Sequence, residues 1–80
     1  KTFDIYPNPT TGTFYLIKDN TLHLGALNMK ITSIEGKIMT KKTELNYSTE
    51  FNISDYPKGI YLIIITDNKG GIFRKKLVKH

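Results

Sequence analysis

Apolar and polar residues alternate with a period of two through much of this chain. The cleanest run is Leu27-Asn28-Met29-Lys30-Ile31-Thr32, with Leu27, Met29 and Ile31 on one side and Asn28, Lys30 and Thr32 on the other. A half-buried β-strand produces that pattern. Shorter runs of the same kind, separated by Gly, Pro, Asn and Asp clusters, predict seven strands at residues 3–6, 13–17, 27–34, 37–42, 49–53, 60–66 and 72–78. Helical periodicity is sustained nowhere. The predicted fold is all-β: a seven-stranded antiparallel immunoglobulin-like β-sandwich, built as one domain over residues 1–80.

The breaks between runs carry their own information. Pro7-Asn8-Pro9 closes the first run; its prolines remove two backbone donors and bias Tyr6 and Asn8 toward extended backbone. Thr10-Thr11-Gly12 then turns the chain, Glu35-Gly36 predicts a hairpin, and Asp67 to Gly71 predicts the last turn. The fourth run carries Lys37, Lys41 and Lys42 and reads as an edge strand whose charges discourage edge-to-edge pairing. The sixth run is apolar on both sides, with Tyr61, Ile63 and Ile65 on one and Ile60, Leu62 and Ile64 on the other. A sandwich sheet normally turns one face to water, so Ile60, Leu62 and Ile64 form a candidate docking face unless a loop covers them.

Composition narrows the chemistry. The chain has no cysteine, which removes disulfides and thiolate metal sites. Twelve Lys and Arg against seven Asp and Glu give a net charge of +5. Arg74 is the single arginine, a poor match to nucleic-acid recognition, which draws on bidentate guanidinium contacts. No apolar run approaches the ~18–20 residues that span a bilayer. No signal-peptide pattern is present, and Lys1 in first position predicts a processed or excised piece; if the parent is exported, its entry signal lies outside this chain.

Catalytic inventory is thin. His23 and His80 sit in no recognisable motif, and the carboxylates Asp4, Asp19, Glu35, Glu44, Glu50, Asp55 and Asp67 are scattered singly. Asp67-Asn68-Lys69-Gly70 is similar to the opening of a calcium loop but lacks the later ligands. No catalytic residue, metal site or cofactor is predicted. Asn46-Tyr47-Ser48 and Asn52-Ile53-Ser54 fit a glycosylation acceptor pattern, and five tyrosines leave a glycan- or surface-binding module as the alternative function. The closing run, Phe73-Arg74-Lys75-Lys76-Leu77-Val78-Lys79, joins four cations to three apolar residues and reads either as a solvated last strand with gatekeeper lysines or as an edge open to strand addition.

Three motifs stand in a fixed order: Tyr6-Pro7-Asn8-Pro9-Thr10-Thr11-Gly12, then Asp55-Tyr56-Pro57-Lys58-Gly59-Ile60-Tyr61-Leu62, then Gly70 followed by Lys75-Lys76-Leu77-Val78-Lys79. Together they span essentially the whole chain, which thereby resembles the type A class of C-terminal sorting domains of the type IX secretion system of Bacteroidetes. The resemblance implies a recognition module, not an enzyme, at the C-terminus of a cargo domain. It also implies transit through the periplasm, passage through the outer-membrane translocon, and commonly removal by a sortase-like peptidase as the cargo is secreted or attached to the cell surface. By residue, Pro7, Asn8, Pro9, Gly12, Gly59, Tyr61 and Gly70 match the family's structural motif. Lys75, Lys76, Leu77, Val78 and Lys79 match its basic–apolar ending, the part expected to be exposed and read. Little sequence precedes Phe3, so the linker in which cleavage would fall is missing from the pattern.

Overall fold

The computed structural model describes residues 3–18, 27–45 and 48–80. Its seven strands are β1 (Phe3–Tyr6), β2 (Thr13–Lys18), β3 (Leu27–Ser33), β4 (Ile38–Thr43), β5 (Ser48–Asn52), β6 (Gly59–Asp67) and β7 (Ile72–Lys79), with no helix among the described residues. They form two antiparallel sheets, ordered β1-β2-β5 and β4-β3-β6-β7. The all-β, seven-strand architecture read from the alternation is the one observed, and it is consistent with an immunoglobulin-like sandwich.

The inward positions of the two sheets meet in one core. Phe14 and Leu16 of β2, Met29 and Ile31 of β3, Ile63 and Ile65 of β6 and Leu77 of β7 are all buried. Phe14 stacks on Phe51 of β5 with ring centroids 5.2 Å apart. Phe3 meets Phe73 edge-on at 5.1 Å, which ties β1 of one sheet to β7 of the other.

Two local features escaped the alternation. The β3–β4 hairpin turns through Ile34, Glu35 and Gly36, with the Gly36 N–H donating to the Ser33 carbonyl and the Ser33 N–H to the Lys37 carbonyl. Ile34 therefore leaves the strand predicted over 27–34 and stands exposed at the tip. In β4, Thr40 pairs with Ile31 but Ile38 pairs with Thr32, so Met39 is an extra residue in a bulge. The bulge brings Met39 against the core and leaves Ile38 exposed. As predicted, β4 is an edge strand.

Candidate functional site

The site is built where β1 runs out. After Tyr6 the prolines deny the chain the donors needed to continue in its own sheet, and the segment Pro7 to Thr10 crosses to β7. Both the Tyr6–Pro7 and Asn8–Pro9 peptide bonds are cis. On β7, residues facing β6 alternate with residues whose N–H and C=O point away from it. That outward row is an edge, and Asn8 fills part of it with its side-chain amide. Its Nδ2 donates to the Lys76 carbonyl at 2.8 Å, and the Val78 N–H donates to its Oδ1 at 3.0 Å. One residue pair further on, the Thr10 N–H donates to the Val78 carbonyl and the His80 N–H to the Thr10 carbonyl, both at 2.9 Å. The amide of Asn8 thus takes the place of a peptide group, and Thr10 follows with its backbone in parallel register beside Lys79.

Thr10 is held in turn from below. Its hydroxyl donates to the Thr13 carbonyl at 2.6 Å and accepts from the Gly12 N–H at 3.0 Å. Gly12 lies so close to the corner after β5 that a Cβ there would stand 3.2 Å from the Ser54 Cβ. Asn8, Thr10 and Gly12 therefore form one clasp across the end of β7.

The corner between β5 and β6 completes the site. Tyr61 is buried, and its hydroxyl donates to the Pro57 carbonyl at 2.6 Å, pinning β6 to the corner four residues upstream. Burial first, then Tyr56 and Glu35 nearby, push the Tyr61 phenol above its ordinary value of 10.0. Tyr56 packs on its ring at 5.4 Å and shares a hydrogen bond with the Thr40 hydroxyl. Gly59, between them, has φ +150, a conformation side-chain-bearing residues rarely adopt. Lys79 arrives from β7 with its ammonium donating to the Ser54 carbonyl at 3.0 Å and the Tyr56 carbonyl at 2.6 Å.

This arrangement corrects the expectation that the whole ending Lys75 to Lys79 is exposed. Lys75, Leu77 and Lys79 share the inward side of β7: Lys75 is half-buried, Leu77 is fully buried and Lys79 is 7% exposed. On the outward side Val78 is half-buried, while Lys76 is exposed. The open strand edge expected here is also corrected for its last part, where Asn8 and Thr10 occupy it.

The family model for secretion system C-terminal sorting domains matches residues 4–80. The chain belongs to this family. It is thus a sorting signal for type IX secretion, attached to a cargo that is exported to the cell surface or medium. No curated protein matches the sorting domain.

The remaining predicted positions of the sorting domain fall outside the clasp. Ile60, Leu62 and Ile64 lie on the outer side of β6, with Ile60 exposed and the other two half-buried. Gly70 sits in the β6–β7 turn, where the Asp67 carboxylate accepts from the N–H groups of Lys69 and Gly71 at 2.8 and 2.7 Å. Asp67 is thereby engaged by its own turn, and no cluster of three metal-ligating side chains occurs among the described residues. Asn52 bonds the Ser54 N–H within its turn. His23, Asp19 and Asn46 lie outside the described residues. Sequence reasoning missed Thr10 and the anchoring role of Lys79, since neither a threonine in a turn nor a terminal lysine signals burial.

Proposed function

We propose that the sorting domain is of the type A class from a Bacteroidetes host, and that it acts by recognition, without catalysis of its own. In this reading it carries an N-terminal cargo domain through the periplasm to the outer-membrane translocon, and a sortase-like peptidase then removes it. The observation that supports this most is the clasp. It joins the family's first and last motifs, about 70 residues apart along the chain, into one surface that exists only in the folded domain. Recognition of that surface would let the translocon distinguish a folded domain from an unfolded chain bearing the same basic tail.

The readable part of the surface is Lys76 with the Asn8 segment lying against it, while Leu77 and Lys79 support it from the core. The test is export of a reporter fused ahead of this chain in a type IX-competent host. Lys76→Glu leaves the core untouched and is expected to reduce surface delivery several-fold, with the reporter retained in the periplasm. Undiminished export of Lys76→Glu, with the folded domain verified by circular dichroism, would overturn the assignment of Lys76. Cleavage is read from the same cells as a shorter mature reporter at the surface.

A further inference from the structure

The outer side of the four-stranded sheet carries an organised pattern of charge. Lys41, Lys30, Ile64 and Arg74 stand side by side across β4, β3, β6 and β7. The next row across the same strands is Ile38, Thr32, Leu62 and Lys76. The aliphatic column of β6 is therefore flanked by ammonium groups on one side and by Arg74 and Lys76 on the other. No carboxylate stands among them: Asp67, the only one in these four strands, pairs with the inward Leu27 and is bonded into its own turn. Ile38, Ile60 and Ile72, three of the five exposed large hydrophobic residues described, lie at the margins of this same face. A groove of about 320 Å3 opens beside Ile64, walled by Lys30, Lys41 and Lys42. The outer side of the other sheet has the opposite character, with Asp4 and Glu50 beside Tyr6 and Tyr15.

Backbone pairing cannot recruit a partner to the middle of this face, because β3 and β6 already have neighbours on both sides. A partner must engage the side chains, and it must be anionic. Protein interfaces place apolar groups centrally and charge at the rim. Here the central Leu62 and Ile64 are half-buried between the cations, and the exposed aliphatic groups, Ile38, Ile60 and Ile72, stand at the margins. A phospholipid headgroup layer fits that order: phosphates meet the Lys and Arg groups, and the isoleucine tips reach the acyl boundary.

We propose that the outer face of the β4-β3-β6-β7 sheet binds an anionic phospholipid surface. This goes beyond the sorting role and is tested apart from it. The 80-residue chain is sedimented with vesicles of phosphatidylcholine alone or with one quarter phosphatidylglycerol. Binding is expected only to the anionic vesicles and is lost as salt rises. Lys41→Gln and Arg74→Gln, both at exposed positions, each lower the affinity about fivefold, the effect of removing one charge near such a surface. Lys18→Gln, which removes the same charge from the other sheet, leaves binding unchanged, and Ile72→Ser weakens it at every salt concentration. Absence of sedimentation with anionic vesicles at low salt overturns the proposal. So does equal weakening by Lys18→Gln, which would reduce the effect to net charge. Face-dependent binding to poly-glutamate without binding to vesicles would overturn it in favour of an acidic protein. Because Lys76 belongs to both surfaces, Arg74→Gln is also assayed for export: undiminished export with weakened vesicle binding keeps the two readings apart, whereas export falling in step with vesicle binding would assign the Lys76→Glu effect to the lipid face.

Discussion

A lysine near the end of a chain ordinarily costs nothing to replace, because its ammonium stays in water. Lys79 differs because its stem lies in the sandwich and its ammonium satisfies two carbonyls of the corner, those of Ser54 and Tyr56. Lys79→Met keeps the stem's volume but strands those acceptors, at about 1–3 kcal/mol. A domain of this size loses about 4–8 °C of melting temperature per kcal/mol, so a thermal melt should show the change plainly. A shift under about 2 °C would mean that water replaces the ammonium. Tyr61 offers a second test through pH. Its folded phenol is held above the ordinary value, whereas the unfolded phenol ionises near pH 10. The stability it contributes is thus complete below pH ~10 and is lost as pH rises through the folded value. Tyr61→Phe should cost about 1 kcal/mol at neutral pH. Above pH ~10, melting of the wild type should then fall more steeply than that of the variant.

Strand β7 shows how far an element is legible from its residues. The two-residue period correctly placed Ile63 and Ile65 inward on β6 and Ile60, Leu62 and Ile64 outward. The same count along β7, started from Leu77, puts Lys75 and Lys79 on the inward side. Cationic side chains there read instead as a solvated tail, because burying an ammonium requires acceptors, and those come from a corner more than 20 residues away. Asn8 was legible as a break but not as a partner of β7, since nothing local specifies a contact across nearly the whole chain. The bulge at Met39 was equally hidden, for it depends on register with Ile31 and Thr32. The clasp makes a prediction at this scale. Asn8→Ala removes one acceptor and one donor at the edge, a loss of about 1–3 kcal/mol at 0.5–1.5 per bond. Hydrogen exchange should localise the damage: the Val78 amide loses protection, while amides between β3 and β6 keep theirs. Uniform loss of protection would show that Asn8 supports the whole fold and not one edge.

At the scale of the molecule, the clasp, the Phe3–Phe73 contact and Lys79 all bind the end of the chain to its beginning or its corner. The closing strand is therefore a structural member as well as a candidate signal, and the two roles cannot be separated by truncation. Deleting Lys75 to Lys79 removes fully buried Leu77, whose truncation to Ala alone would cost about 2–5 kcal/mol. It also removes the Lys79 anchor and every acceptor and donor the clasp uses on Lys76 and Val78. Small domains have total stabilities near the low end of about 5–15 kcal/mol, so these losses together exceed what the sandwich can spare. The deletion is expected to abolish cooperative unfolding and to shift circular dichroism toward an unordered chain. A cooperative melt retained by the truncated chain would show that β1 to β6 fold alone and that β7 is an appended tail. Failure of a truncated domain to support export then reports lost folding in the first case and lost recognition in the second, and only surface substitutions such as Lys76→Glu measure recognition in both.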